Sequence, residues 1–245
     1  MSQSWNDLAR ELGISTLSPD ARPELFLLIT IAIATVFLWQ VPGGKILIYP
    51  FTILATWFHE MGHGLMGIIL GGDFERLEIE KNGSGLARCS GNFFLGRVGN
   101  ALFYAAGSMF PPIIGGGLII ASRNLQISHN LLVVLGLFLI FSAIVWVRTS
   151  FGILVIPLLG FLILVIALKT PLETQKFATQ FLGIQACIST FKNFGYLFTY
   201  QIPGGFSDTA RISENLFLPH WFWGIIMTVA SLEILLQSLK IAYFI

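Results

Sequence analysis

The sequence predicts an all-α polytopic membrane protein of about six to seven transmembrane helices, with a small β-hairpin insertion near residues 74–90. Three observations carry that expectation. Of the 245 residues, 55% are hydrophobic and only 11% charged, and the mean hydropathy is +0.78, well outside a soluble range of about 45–50% apolar and about 25% charged. The apolar residues gather into windows near 24–40, 46–70, 98–121, 130–147, 151–168, 177–199 and 219–240, each close to the ~20 residues that a hydrocarbon core of about 30 Å requires. Between the second and third windows, Gly71 to Asn92 is the largest polar insertion.

The elements follow in order. A polar lead, residues 1–23, opens with Ser4-Trp5-Asn6-Asp7, a weak capping box followed by Leu8 and Leu12, and predicts a short interfacial helix. The first apolar run, Glu24 to Gln40, ends at Val41-Pro42-Gly43-Gly44 rather than at a small-residue cleavage site, so it reads as a retained span. In the polar insertion, Phe74-Glu75-Arg76-Leu77-Glu78-Ile79-Glu80 alternates before the turn-forming pair Asn82-Gly83, the pattern of a hairpin. Its edge is expected to hold an extended peptide by strand addition, a role that Ile79→Pro is expected to impair. In the third window, Gly107-Ser108-Met109-Phe110-Pro111-Pro112 predicts an interruption of helical hydrogen bonding, and Gly115-Gly116-Gly117 permits close backbone approach. In the sixth, Gln185, Ser189 and Asn193 recur along one face; such a stripe faces a bundle interior or water-filled cavity, or else marks an interfacial or re-entrant helix.

Net charge is +1, and no basic run suggests a nucleic-acid partner. Cys89 and Cys187 define no disulfide framework and lack zinc-finger spacing.

The second window contains His59-Glu60-Met61-Gly62-His63. On a helix, positions i and i+4 share a face, so two imidazoles can bind one Zn²⁺ while Glu60 leans toward the same pocket as a general base. Ionisable groups cost about 2.5–3.5 kcal/mol each inside a membrane segment, and they generally mark a functional interior. A catalytic zinc takes three protein ligands and leaves a position for water, so one more donor is required. Asp208, in the polar break before the last window, competes with Glu214, Glu233, His129 and His220. Glu233 has local partners in Gln237 and Lys240, which favours an ordinary paired carboxylate there. Placing the amino terminus in the cytoplasm puts more basic residues on that side, Arg76, Arg88, Arg97 and Arg148 among them, and brings His63 and Asp208 toward the same half of the membrane.

These residues resemble the intramembrane zinc metallopeptidases of the site-2-protease class, particularly the short bacterial and plastid branch lacking a PDZ domain. The resemblance runs from Phe58-His59-Glu60-Met61-Gly62-His63-Gly64, through Gly71-Gly72, Ala106-Gly107-Ser108 and Gly115-Gly116, to Ser207-Asp208-Thr209-Ala210. It implies that residues 24–245 form a single membrane-embedded peptidase domain, with His59, His63 and Asp208 as zinc ligands and Glu60 as catalytic base. Larger members carry the aspartate in an Asp-Gly motif, whereas Thr209 follows Asp208 here. The implied reaction is hydrolysis of peptide bonds in or near transmembrane segments of membrane-protein substrates, in a bacterial inner membrane by default or in a plastid or other organellar membrane. A regulatory membrane partner would be compatible with the missing soluble domain. The alternatives are a catalytically inactive scaffold or chaperone that keeps the fold, and a metal- or proton-coupled transporter.

Overall fold

The computed structural model describes residues 21–244, apart from 42, 193, 203 and 204. The expected interfacial helix at Ser4–Asp7 therefore lies outside the described residues, as does Asn193 of the polar stripe. The order is α1 (Ala21–Leu38), α2 (Gly44–Leu47), α3 (Tyr49–Ile69), β1 (Asp73–Ile79), β2 (Gly85–Ser90), α4 (Arg97–Ala121), α5 (Leu125–Val145), α6 (Ser150–Lys169), α7 (Leu172–Lys192), α8 (Phe194–Leu197), β3 (Gln201–Ile202), β4 (Gly205–Phe206), α9 (Asp208–Asn215) and α10 (His220–Phe244).

Each apolar window forms a helix. Among the described residues four helices, α4, α5, α6 and α10, are long and apolar enough to cross a membrane, and α1 contributes a shorter apolar stretch, Glu24–Leu38. On α5 and α6 the large apolar side chains point outward as well as inward, with Ile144, Leu154 and Leu168 all exposed, the distribution of helices solvated by lipid. The chain is a multi-pass membrane protein. α3 and α7 have similar lengths but interleave the polar residues described below.

α4 is the central helix, in contact with α3, α7, α9 and α10. Its small residues make that possible. A Cβ on Gly115 would meet the Gly183 carbonyl oxygen at 2.5 Å, and one on Gly183 would meet the Gly115 carbonyl oxygen at 2.7 Å, so α4 and α7 cross backbone to backbone. Gly116 lies against Ile234 of α10, whereas Gly117 faces open space. The interruption of hydrogen bonding expected at Pro111-Pro112 does not break the helix, since residues 97–121 form one helix. A proline takes away only its own N–H and leaves the carbonyl four residues earlier unpaired. Here the cost falls on Gly107 and Ser108, and packed neighbours hold the helix together around them.

β1 and β2 form the expected antiparallel hairpin, with Leu77 opposite Ala87 and Ile79 opposite Gly85. A bulge between Phe74 and Arg76 shifts the alternation, so that Phe74, Leu77 and Ile79 are all buried. Asn82-Gly83 forms the turn, with Gly83 at φ 85°. The hairpin tip is tied to α3, where Thr56 Oγ1 donates to the Gly83 carbonyl at 2.7 Å and Tyr49 Oη to that of Lys81 at 2.6 Å.

The outer edge of β1 is closed. Leu77 N–H donates to the Trp146 carbonyl at 2.8 Å, Arg148 N–H to that of Leu77 at 3.0 Å, and Ile79 N–H to Thr149 Oγ1 at 3.2 Å. Replacing Ile79 with proline would therefore cut the tie to the α5–α6 connection, which corrects the expectation that it probes a peptide-binding edge. Among the described residues no strand pairs with the edge of β2, where ladder alternation turns the backbone of Gly85, Ala87 and Cys89 away from β1 and the Ala87 N–H is taken by Glu60.

Candidate metal centre

α3 begins with Pro50 in its first turn, where a missing N–H costs nothing, and runs without a break to Ile69. The i, i+4 spacing puts His59 and His63 on one face, with imidazole Nε2 atoms 3.2 Å apart. His63 is buried and His59 partly buried. Two glycines let α4 close over them. A Cβ on Gly62 would meet the Ala106 carbonyl oxygen at 2.5 Å, and one on Gly107 would land on the His63 ring.

Asp208 arrives from the other end of the chain. The Ser207 hydroxyl caps α9, accepting from Ala210 N–H at 3.2 Å, and sets Asp208 as the first helical residue. One carboxylate oxygen of Asp208, Oδ2, is 3.2 Å from His59 Nε2, and the other, Oδ1, is 3.4 Å from His63 Nε2. Thr209, which stands where larger site-2 proteases have glycine, uses its hydroxyl to donate to the Leu197 carbonyl at 2.9 Å, pinning α9 to α8.

Two of the three ligand candidates, His63 and Asp208, are held from behind. His63 Nδ1 is 2.8 Å from the Phe103 carbonyl oxygen, so Nδ1 carries the proton and Nε2 presents its lone pair to the cluster. Ser108 Oγ donates to Asp208 Oδ2 at 3.0 Å. Asp208 N–H donates to the Tyr196 hydroxyl at 3.1 Å. Glu60, buried one residue from His59, accepts from Ala87 N–H at 2.7 Å.

The donor set fits a metal. Three ligand-bearing side chains converge on one point, an arrangement that could hold a metal ion. The two imidazole Nε2 atoms are 3.2 Å apart, and each is within 3.4 Å of a different oxygen of the Asp208 carboxylate, spacings short enough for His N and Asp O to share one ion at about 2.0–2.2 Å.

The competing candidates are engaged elsewhere. Glu214 pairs with Arg211 at 3.0 Å, Glu233 accepts from Gln237 at 2.7 Å, His129 Nδ1 lies 2.9 Å from Gln175 Oε1, and His220 Nε2 lies 3.3 Å from the Phe198 carbonyl oxygen. Sequence reasoning assigned no supporting role to Phe103, Ser108, Ala87 or Tyr196. The first and third act through backbone groups, which carry no residue signature. Ser108 and Tyr196 stand in stretches the sequence had flagged, without a partner to give them meaning.

Beside the cluster, a cavity of about 30 Å³ is lined by His59, Ser108, Ser189, Thr190 and Tyr196. It shares Ala55 and Ser189 with a larger cavity of about 350 Å³, bounded by Thr52, Thr56 and Ser84 on one side and Gln185 and Lys192 on the other. Gln185 and Ser189 of the polar stripe thus face a cavity.

The family model described as Peptidase M50B-like matches residues 28–238. No curated protein and no solved structure matches the chain.

Proposed function

The chain belongs to the Peptidase M50B-like family, as a site-2-protease-like member, and on that premise we propose that it is an intramembrane zinc metallopeptidase cleaving membrane-protein substrates in or near their transmembrane segments. The observation that carries the reading is the convergence of His59, His63 and Asp208 within 4.8 Å of one another, with Glu60 buried alongside. His59, His63 and Asp208 would hold the ion, which when bound supplies a Lewis acid and an acidified water. Glu60 takes the proton from the attacking water and passes it to the leaving amine nitrogen. Phe103 and Ser108 keep His63 and Asp208 in ligating orientation.

Hydrolysis in a bilayer needs a water path, and the two cavities, which share Ala55 and Ser189 and reach from Lys192 to His59, suit that role. A helical substrate hides its carbonyls in intrahelical hydrogen bonds, so it must unwind before attack. The unpaired edge of β2 suits the unwound segment, because strand addition there, with Ala87 N–H passing from Glu60 to the peptide, lays the peptide beside Glu60. A scaffold retaining only a structural ion has no use for a buried carboxylate next to three ligands, since structural zinc sites are generally closed by four.

The test pairs metal content with cleavage. Detergent-purified protein is expected to hold about one zinc per chain, lost or greatly weakened in His63→Ala and Asp208→Ala. Glu60→Gln is expected to keep zinc and lose cleavage of a membrane-protein substrate. Zinc-loaded Glu60→Gln cleaving as well as the parent protein would overturn the proposal.

A further inference from the structure

The peptidase reading leaves one role unfilled, the group that stabilises the negative charge on the scissile carbonyl oxygen as water adds. We infer that the Tyr196 hydroxyl is that group. The inference rests on the peptidase reading and adds a catalytic residue to it.

The argument starts from the hydroxyls lining the small cavity beside His59. Ser108 donates its proton to Asp208, and Ser189 donates its own to the Ala186 carbonyl at 2.6 Å. Both are committed. Tyr196 is different, because its hydroxyl oxygen accepts from Asp208 N–H at 3.1 Å, which fixes the oxygen beside the Asp208 carboxylate, and its proton, in hydrogen-bonding geometry with no acceptor among the described residues, is free to turn to a carbonyl oxygen entering the cavity. Its ring stands edge-on to His59, centroids 6.2 Å apart at 81°, so the hydroxyl is held against the ligand cluster by contacts on two sides. A donor already oriented toward the place where charge develops needs no reorganisation during the reaction. Thr190 Oγ1 is the other uncommitted hydroxyl, buried without a hydrogen-bond partner. It sits on α7 and hydrogen-bonds to none of the three ligand candidates.

In the proposed step, water oxygen bonds to the carbonyl carbon, the carbonyl π pair moves onto its oxygen, and the water proton goes to Glu60. Tyr196 donates a hydrogen bond to that oxygen and keeps its proton. On collapse, the C–N bond breaks and the amine nitrogen leaves with the proton from Glu60.

The experiment uses full-length, zinc-loaded protein in detergent, with fluorescein-labelled casein as an already unwound substrate and a dileucine phosphinic pseudopeptide as a tetrahedral mimic. Tyr196→Phe is expected to lower kcat about 100-fold, with KM and zinc content unchanged. It is also expected to weaken phosphinate binding at least tenfold, a readout independent of turnover. Thr190→Val is expected to leave both measurements close to those of the parent protein.

Wild-type kcat and phosphinate affinity in Tyr196→Phe would overturn the inference. So would loss in Thr190→Val instead, or a Tyr196→Phe defect that excess zinc repairs, which would make the tyrosine a support for Asp208. If Glu60→Gln abolishes cleavage while Tyr196→Phe does not, this inference alone falls. If the parent protein neither cleaves nor binds the phosphinate, the peptidase reading falls and takes this one with it.

Discussion

Glu60 Oε2 accepts the backbone N–H of Ala87 at 2.7 Å, which joins the carboxylate next to the ligand cluster to the unpaired edge of the hairpin. The hairpin is thus part of the site and not an ornament of the α3–α4 connection. Gly85 belongs to the same contact, since a Cβ there would meet Glu60 Cγ at 2.6 Å.

Ala87→Pro removes that N–H from a position whose backbone faces away from β1, so the ladder survives. Hydrogen bonds to charged groups are worth about 1.5–3 kcal/mol, enough to loosen Glu60. Cleavage is expected to fall at least tenfold with zinc content unchanged. Unchanged turnover would show that Glu60 does not depend on the strand for its orientation.

Ser108→Ala deletes the donor behind Asp208 and leaves all three ligand atoms in place. Loss of a group that orients a ligand typically costs 10–100-fold in metal affinity. Chelator competition is expected to show that weakening, with about one zinc per chain still bound at saturation. An unaltered zinc affinity would mean that the metal holds Asp208 in position without the serine.

Gly107→Ala and Gly117→Ala separate a site glycine from a free one on the same helix. The first Cβ lands on the His63 ring, whereas the second meets nothing within 4 Å. Gly107→Ala is expected to lose zinc and unfold several degrees lower in detergent, and Gly117→Ala to match the parent protein or exceed it slightly, given the helix propensity of alanine. Equal behaviour of the two variants would contradict the tight approach of α4 to α3.

Cys89 reports on hairpin docking. Burial against α3, reinforced by the Glu75 carboxylate, pushes its thiol from 9.0 up to about 11. A raised pKa lowers the thiolate fraction at every pH below it, so maleimide labelling of Cys89 in a Cys187→Ser background is expected to run about a hundredfold slower than that of an unburied thiol at pH 8. Labelling is expected to accelerate with pH until about 11. Fast labelling at neutral pH would mean that the hairpin lifts off α3.

Much of this was legible beforehand. The apolar windows became helices, the alternation before Asn82-Gly83 became the hairpin, and the His59–His63 spacing put two imidazoles on one face. At Pro111-Pro112 the sequence shows the lost N–H groups but not the neighbours that keep α4 continuous. Ile79 misled, since the segment that closes its edge arrives from the distant residues 146–149.

By itself the sequence determined what depends on residue type and short spacing: the hydrophobic windows, the helical face bearing His59 and His63, the turn, and a list of candidates for the third ligand. Tertiary structure alone brings Asp208, rather than Glu214, Glu233, His129 or His220, beside the imidazoles, because that is a matter of which distant segment reaches them. It alone also revealed the Phe103 carbonyl behind His63 and the Ala87 N–H in front of Glu60. Every non-proline residue carries those same backbone groups, so only the path of the folded chain distinguishes the two that matter.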